Sequence, residues 1–377
     1  MYCLPEMSYP GGIARVTALK ANWLAQHGND VMIVTTDQRG EKVFYDLYHS
    51  VKHIDLDIDF RSYEQDNLLK KFLCRRMKIK RCEKELHRIQ NEWKADIIVS
   101  TFNNESEFLY KWDDGSRKVL EFHFCYAKNE EIIKYGNVSF QQGVMLKLKD
   151  CQLRKLAKKY DAFVVLTHED AEAWKGYENL HVIPNMLSFS SGKVSLCNTK
   201  EVIAVGRLDF QKKFDRLIEI WDLVCQKNKD WHLSIYGKGP DKEVLQKTIE
   251  GRGLKDRVDI YEPTPIIKEK YLSSSIYVMT STYEGLPMTL LEAISMGLPC
   301  VAYNFPCGPR DIIEEGRNGY LVEKGDKQIF AMRLAELMNN EELRQTMSRN
   351  AVETSKKYNV DRVMEQWKTL FTGLLNK

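Results

Sequence analysis

The chain has 377 residues, of which 29% are charged and 43% hydrophobic, and its formal net charge is +3. This length suits two domains that each bury a core, and the composition excludes a disordered chain. The small net charge argues against nucleic acid as a partner. The chain contains no run of eighteen apolar residues, so we expect no membrane span. Pro5 follows Met1 so closely that we also expect no signal peptide.

Nine cysteines are scattered along the chain, with no C-x-x-C pair and no clustering with histidine. This pattern predicts reduced thiols that serve mostly as small core residues, rather than a disulfide framework or a zinc site. Together with the missing signal peptide, it predicts a cytoplasmic location.

Short β-branched runs alternate with amphipathic stretches from one end of the chain to the other. In the first half, the runs predict strands at residues 31–36, 97–102, 119–124 and 163–167. In the second half, they predict strands at residues 202–205, 233–236, 258–261, 276–280 and 300–303. Strands that are apolar throughout and separated by helices are typical of buried parallel strands in βαβ units. Two successive sets predict two doubly wound, Rossmann-like α/β domains.

The domain limits follow from the breaks in this alternation. The sequence His-Val-Ile-Pro-Asn at 181–185, with the Ser/Gly-rich stretch after it, predicts the hinge. We therefore expect a first domain at 1–184, a second at 185–357, and a final helix at 358–377 that packs back on the first domain. Only the short run Tyr2-Cys3-Leu4-Pro5 is available for a strand before the turn at Pro10, so the first strand is either unusually short or the chain begins a few residues late.

The strongest motif surrounds two glutamates. Glu284 follows the predicted strand 276–280, and Gly285 leads from it into a helix that contains Glu292. Pro287 fits the first turn of that helix, where its missing N–H costs nothing. Unpaired amides around 288–290 at the start of this helix favour an anion such as phosphate. Carboxylates beside such a site favour sugar hydroxyls as partners. An amphipathic helix with two solvated glutamates is the alternative.

Two further motifs follow predicted strands. Arg207 and Lys212 leave the strand at 202–205, where open α/β sheets bind ligands, and two cations there suit a diphosphate. A solvated basic loop is the alternative. The turn Pro10-Gly11-Gly12 lets the backbone approach a phosphate or sugar, although an ordinary tight turn fits equally. It is not a G-x-G-x-x-G fingerprint, so a dinucleotide cofactor is disfavoured.

In this order and on these elements, the three motifs resemble the family 4 retaining glycosyltransferases of the GT-B fold. The resemblance covers essentially the whole chain and includes the segments at 11–16, 182–185, 206–212, 284–292, 293–299 and 316–322. It implies that the two Rossmann-like domains face each other across a cleft that holds the active site. The segment at 304–313 is most similar to members that build bacterial surface polysaccharides or lipid-linked glycans.

The resemblance also implies roles for individual residues. Arg207 and Lys212 would bind the donor diphosphate, Glu292 the ribose hydroxyls, and Glu284 the hydroxyls of the transferred sugar. His123 would line the sugar pocket from the first domain, although a lone histidine at a strand end is also compatible with a structural role. The implied catalytic residues are Glu284, His123, Arg207 and Lys212. The implied nucleotide-sugar site comprises Gly11, Gly12, Arg207, Lys212, Gly237, Glu284, Gly285, Leu286, Thr289, Leu290 and Glu292, with the turn at 261–265 beside the base.

The implied reaction is transfer of a hexose or N-acetylhexosamine from a UDP-sugar to a glycan or lipid-linked glycan acceptor in surface polysaccharide biosynthesis, with retention of configuration. The UDP-sugar is the donor substrate, and we expect neither a cofactor nor a metal. Lys213, Met186 and Glu262 depart from the family pattern, and Glu262 leaves the base preference open. A nucleotide-sugar epimerase of the same fold and a non-catalytic subunit of a polysaccharide complex are the alternatives.

A basic segment from Asn67 to Cys82 contains seven Lys or Arg and no acid. Leu69, Phe72 and Leu73 can form one apolar face with cations around it. Such a helix suits an anionic membrane surface, at about 1 kcal/mol for each well-placed cation. It predicts peripheral association with the inner face of the cell membrane. A packed helix with a solvated basic face is the alternative.

Overall fold

The computed structural model describes residues 1–9, 11–63, 68–136, 138–187 and 192–377, without the side chains of residues 63, 68 and 69. Pro10 of the predicted turn, Asn67 and the side chain of Leu69 of the basic segment, and residues 188–191 of the predicted hinge region lie outside this description.

In these ranges, the first half of the chain forms a parallel sheet with the strand order β3-β2-β1-β4-β5-β6-β7. Its strands are β1 Tyr2–Leu4, β2 Met32–Thr35, β3 Lys52–Asp55, β4 Ile97–Ser100, β5 Arg117–Glu121, β6 Ala162–Val165 and β7 Leu180–Val182. Its helices are α1 Gly12–Gln26, α2 Leu68–Trp93, α3 Lys128–Tyr135, α4 Phe140–Ala157 and α5 His168–Ala173.

The second half forms a parallel sheet with the order β10-β9-β8-β11-β12-β13. Its strands are β8 Glu201–Val205, β9 His232–Tyr236, β10 Val258–Tyr261, β11 Ile276–Met279, β12 Cys300–Asn304 and β13 Gly319–Glu323. The helices that follow are α6 Phe214–Cys225, α7 Lys242–Gly251, α8 Ile267–Leu272, α9 Met288–Ser295, α10 Pro309–Ile312, α11 Lys327–Asn339, α12 Glu341–Ser355 and α13 Val360–Leu375. The predicted pair of doubly wound α/β domains is confirmed.

The sequence explains the core on each face of the first sheet. Strand residues are apolar on both sides, so one face packs against α1 and the other against α2, α4 and α5. The last helix, α13, adds Trp367 and its neighbours to the core on the α1 face, although the chain reaches it from the second domain. Within the described ranges, no helix combines the length and the apolar character that a membrane span requires.

The two domains contact each other along one cleft. Arg15 of α1 donates to Glu292 of α9 across 2.8 Å, and Glu131 of α3 forms an ion pair with Lys324. The amide of His168 donates to Asp311 Oδ1 over 2.8 Å. These contacts join the carboxyl edges of the two sheets, where parallel α/β sheets bind ligands.

Candidate active site

The second domain reverses its strand order between β8 and β11, which lie side by side although they are not consecutive in the chain. Ligands of open α/β sheets bind outside the carboxyl ends of the strands at such a switch point. The loop after β8 carries Arg207 and Lys212, and the loop after β11 carries Glu284. The topology therefore brings the two strongest motifs of the sequence together.

Lys212 and Glu284 form an ion pair at this point, with 2.6 Å between Lys212 Nζ and Glu284 Oε1. Their side chains are only 13% and 12% exposed, so the pair is shielded from water. Ser281 Oγ donates to Glu284 Oε1 over 2.9 Å, and Gln211 Nε2 donates to Glu284 Oε2 over 3.2 Å. A Cβ on Gly206 would lie 2.9 Å from Lys212 Cε, so the glycine leaves room for the lysine stem. The carboxylate is thus held in one orientation from three sides.

Arg207 is the exposed cation beside this cluster, with a side chain that is 73% exposed. It pairs with Asp209 over 3.0 Å and donates to Gln211 Oε1 over 3.3 Å. Lys128 of α3 approaches it from the first domain. Burial, and then the charge of Arg207, lower the pKa of Lys128 to about 8. Two cations that repel each other across a cleft form a site that an anion would stabilise.

Glu292 is buried, and both of its oxygens have protein partners. Arg15 Nη1 donates to Oε1 over 2.8 Å and the Tyr271 hydroxyl donates to Oε2 over 3.2 Å. Arg15 Nε also donates to the Tyr45 hydroxyl over 3.2 Å. A ribose hydroxyl at Glu292 would therefore share its carboxylate with a guanidinium of the first domain.

The start of α9 differs in detail from the prediction. Pro287 is the N-cap residue rather than part of the first turn, and the Leu290 amide donates to its carbonyl over 3.0 Å. Leu290 is therefore not one of the unpaired amides that the sequence predicts. The amides of Met288 and Thr289 occupy the first helical positions, which an α-helix leaves without an acceptor of its own. The hydroxyl of Thr289 lies 2.7 Å from that of Tyr277, and Leu286 is buried.

The glycines of the predicted site serve mainly as points of close approach. A Cβ on Gly285 would lie 2.2 Å from the carbonyl oxygen of His123, so this glycine lets the second domain touch the first. A Cβ on Gly237 would lie 2.0 Å from the carbonyl oxygen of Gly206. Gly11 precedes α1 as its N-cap, and a Cβ on Gly12 would meet nothing within 4 Å. Only Gly12 is open enough to admit a ligand atom against its backbone.

His123 lies in the loop after β5, since the strand ends at Glu121 rather than at the predicted residue 124. His123 Nε2 is 3.2 Å from Glu121 Oε1, and Glu121 also pairs with the fully buried Lys20. Burial alone would raise the pKa of Glu121, but the charges of Lys20 and His123 outweigh it and lower the pKa to about 2. An ionised carboxylate thus stands behind His123.

The predicted nucleotide turn begins at Tyr261, whose ring stacks on that of Tyr236 with 5.0 Å between centroids. Glu262, which departs from the family pattern, forms an ion pair with Lys242.

Comparison with known proteins identifies the family of the chain. The family model described as "Glycosyltransferase Family 4" matches residues 10–189, and "Glycosyl transferases group 1" matches residues 193–354. The amylovoran biosynthesis glycosyltransferase AmsD of Erwinia amylovora is 34% identical over 290 residues, which are 66% of this chain and 80% of AmsD. An uncharacterized glycosyltransferase of Haemophilus influenzae is 27% identical over 369 residues, 95% of each chain.

The chain belongs to the family 4 glycosyltransferases. The poly(ribitol-phosphate) alpha-N-acetylglucosaminyltransferase of Staphylococcus aureus is 32% identical over 273 residues, which are 69% of this chain and 54% of that protein. A solved complex of S. aureus TarM superimposes with a TM-score of 0.77 at 18% identity, and covers 98% of this chain and 99% of TarM. WaaG superimposes with a TM-score of 0.72 at 17% identity, over 99% of each chain. These solved structures confirm the GT-B fold.

Two residues at the site of this glycosyltransferase could not be predicted from the sequence. Arg15 lies inside the segment that carries the family resemblance, but nothing in the sequence marks Glu292 as its partner 277 positions away. Lys128 has no motif at all. Its only signal is its position shortly after His123 and four residues beyond the predicted strand at 119–124. Both residues come from the first domain and face groups of the second.

Proposed function

We propose that this glycosyltransferase moves a hexose or N-acetylhexosamine from a UDP-sugar to a glycan or lipid-linked glycan acceptor, with retention of configuration. The observation that carries the proposal is the shielded Lys212–Glu284 pair at the switch point, with 2.6 Å between Nζ and Oε1. Such a pair offers a cation to a phosphate and a carboxylate to sugar hydroxyls side by side. The lysine would bind phosphate through its charge, and the carboxylate would bind the sugar through hydrogen bonds.

The named relatives support the class of acceptor. AmsD is named for the biosynthesis of amylovoran, and other relatives are named as a lipopolysaccharide 1,6-galactosyltransferase and a poly(glycerol-phosphate) alpha-glucosyltransferase. The solved TarM complex contains UDP and alpha-GlcNAc-glycerol. For this chain we therefore propose UDP as the nucleotide of the donor and a surface polymer as the product.

The mechanism follows from where charge develops. As the bond between the sugar C1 and the leaving phosphate oxygen breaks, negative charge grows on the diphosphate. Arg207, Lys212 and Lys128 can stabilise that charge, together with the amides of Met288 and Thr289. The acceptor oxygen bonds to C1 on the same face, and its proton passes to the leaving phosphate oxygen. Glu284 and His123 would hold the sugar in place, so that catalysis rests on positioning and leaving-group stabilisation.

We also propose that two helices of the first domain bind the membrane surface. On α2, Phe72, Leu73 and Met77 are exposed, beside the exposed cations Arg76 and Lys80. Arg75 and Lys78 do not belong to this surface, because Arg75 pairs with Glu107 and Lys78 donates to the carbonyl oxygen of Ile58.

Helix α4 exposes a second apolar stripe at helical spacing. Phe140 is 87% exposed, and Val144, Met145 and Leu148 continue the stripe, with Lys147 beside it. The inner residues of α2 and α4 pack in one core, so the two helices cover the same face of the sheet. Since helices run opposite to their parallel strands, both stripes begin at the edge of the sheet that faces the cleft. An anionic bilayer there would present a lipid-linked acceptor to the active site.

A panel of nucleotide sugars tests the donor. UDP and one UDP-sugar should raise the melting temperature of the protein, because a ligand at a hundred times its Kd stabilises by about 2.7 kcal/mol. Turnover of that donor should require an acceptor and should persist in chelator, since cationic side chains face the diphosphate. Complete loss of turnover that magnesium restores would contradict the metal-independent reaction.

The same assay separates the alternatives. Conversion of the donor without any acceptor would favour the epimerase, and UDP-sugar binding without turnover on any acceptor would favour the non-catalytic subunit. If no UDP-sugar raises the melting temperature of the protein but another nucleotide sugar does, UDP is the wrong nucleotide and the reaction class stands.

A further inference from the structure

Two cysteines from different domains meet beside the active site. Cys125 lies two residues after His123 in the first domain, and Cys307 lies in the loop after β12 of the second. Their sulfur atoms are 3.0 Å apart, and the two residues are 2% and 0% exposed. All nine cysteines of the chain are free thiols, and this pair joins residues 182 positions apart.

The two loops hold the thiols in place. Cys307 has a left-handed backbone with φ of 57°, and Gly308 follows it with φ of 100°. A Cβ on Gly308 would lie 2.3 Å from Pro287 Cδ, so this loop rests directly on the start of α9. In the first domain, the amide of Tyr126 donates to Asp170 Oδ1 over 2.8 Å, which fixes the backbone next to Cys125.

The distance between the sulfurs favours a disulfide over a metal site. Cys125, Asp170 and Cys307 are the group with metal-ligand chemistry among the residues that the structure describes. A tetrahedral zinc with bonds of about 2.3 Å to two thiolates would hold their sulfurs about 3.8 Å apart. The observed 3.0 Å is shorter than this, and a disulfide needs a contraction of only about 1 Å.

We propose that Cys125 and Cys307 form a reversible disulfide that locks the two domains in their closed arrangement. The oxidant is a small disulfide such as oxidised glutathione. One cysteine thiolate attacks it, forms a mixed disulfide and releases one glutathione thiolate. The second cysteine thiolate then attacks the sulfur of the first cysteine and releases the second glutathione. Two protein thiols are oxidised and one oxidised glutathione is reduced to two thiols.

Domain opening controls the first step. In the closed arrangement both thiols are buried, and the hydrogen bond to Cys125, followed by burial, raises the pKa of the Cys307 thiol. The pair is therefore unreactive until the domains separate and expose one sulfur. Closure then brings the second sulfur to the mixed disulfide. The carbonyl oxygen of Pro306, next to Cys307, accepts from the amide of Glu284 over 3.1 Å, so the bond would lock the proposed active site itself.

Peptide mapping tests the proposal without relying on the proposed donor. The full chain is incubated in mixtures of oxidised and reduced glutathione, its free thiols are alkylated, and its linked peptides are mapped by mass spectrometry. We expect a Cys125–Cys307 peptide that dithiothreitol removes. Cys125→Ser and Cys307→Ser should lack it, and Cys151→Ser, at an exposed position on α4, should keep it.

UDP binding before and after oxidation is the second measurement. Oxidation should abolish UDP binding in the wild type reversibly and leave Cys125→Ala unaffected, after circular dichroism has shown that the variant is folded. Linkage of other cysteines, or no linkage at any glutathione ratio, would overturn the proposal. One equivalent of bound zinc that Cys125→Ser abolishes, without a linked peptide, would replace the disulfide by a metal site.

Discussion

Glu284 and Glu292 differ in their contacts before any donor binds. Glu284 pairs with Lys212 at the switch point of the second domain, and Glu292 accepts from Arg15 of the first domain. If Glu284 holds the transferred sugar, its contacts strengthen as that ring gains positive charge. Glu284→Gln should then lower kcat strongly and leave UDP binding equal or tighter, because Lys212 loses its carboxylate partner.

Glu292→Gln should behave in the opposite way. It should weaken UDP by about 1.5–3 kcal/mol, the range for a charge-assisted hydrogen bond, with less effect on kcat at saturating donor. Arg15→Gln is the control, because it removes the ion pair and keeps the carboxylate. Calorimetric titration of UDP and kcat for each folded variant settle the roles. Equal weakening of UDP by both glutamate variants would make α9 a general phosphate anchor.

The lowered pKa of Lys128 predicts that donor binding depends on pH. Its pKa is lowered to about 8 by burial and by Arg207, whereas a bound diphosphate would favour the charged form. Above pH 8 the free protein must therefore take up a proton to bind, so the Kd of UDP should rise, by at most about tenfold per pH unit. Below pH 8 this dependence should vanish.

Lys128→Met should flatten the profile above pH 8, and Lys134→Met, at an exposed position on the same helix, should not. Calorimetric titration of UDP between pH 7 and pH 10 measures both. An unchanged profile in Lys128→Met would assign the titration to another group and remove Lys128 from the site.

The residues that sequence reasoning missed share a physical cause. Arg15 and Lys128 act on groups that lie in the other domain, so neither periodicity nor motif spacing can place them. Glu284, Arg207 and Lys212 could be predicted, because each follows a strand that is recognisable as an apolar run. Their mutual approach then follows from strand order at the switch point. The exposed position of Arg207, by contrast, depends on its contacts with Asp209 and Gln211.

At the scale of elements, the central strands were predictable and three edge strands were not. β3, β7 and β13 each lie at an edge of a sheet. β3 reads Lys-His-Ile-Asp and none of its residues is buried, so it has no apolar run to recognise. β10 is also an edge strand but was predicted, since its sequence Val-Asp-Ile-Tyr alternates. An edge strand has a neighbour on one side only, and β3, which is also left unburied, therefore carries no apolar signal.

The exposed stripes of α2 and α4 predict membrane binding. The full chain should bind vesicles of phosphatidylglycerol and phosphatidylcholine more tightly at low salt than at high salt, because the attraction is screened over about 8 Å at physiological ionic strength. Replacing Phe72, Leu73 and Met77 by serine should weaken this binding at every salt concentration. Replacing Arg76 and Lys80 by glutamine should instead reduce its salt dependence, with Lys147 of α4 left in place.

Met332→Ser is the matched control, since it removes an exposed apolar residue from α11 of the second domain. Sedimentation with vesicles measures all variants. If the serine variant of α2 and an equivalent variant of Phe140 and Leu148 on α4 both bind like the wild type, the two helices are ordinary solvated surfaces.

At the scale of the whole molecule, each domain has its own core, and α13 connects them. The chain leaves the second domain after α12, yet α13 packs against α1 of the first. Trp367 is 1% exposed there, with its ring centroid 4.5 Å from the ammonium group of Lys20. The indole of Trp23 donates to Asp361 at the start of the same helix over 2.8 Å. Stability of the first domain should therefore depend on the last residues of the chain.

Calorimetric unfolding tests this division. We expect two transitions, of which UDP raises the one that belongs to the second domain, where the proposed donor contacts lie. Trp367→Ala should lower the other transition, because truncating a buried tryptophan costs about 3–5 kcal/mol. Trp221→Ala, in the core of the second domain, should lower the UDP-sensitive transition instead. If Trp367→Ala lowers both transitions equally, the two cores unfold as one unit and α13 couples them.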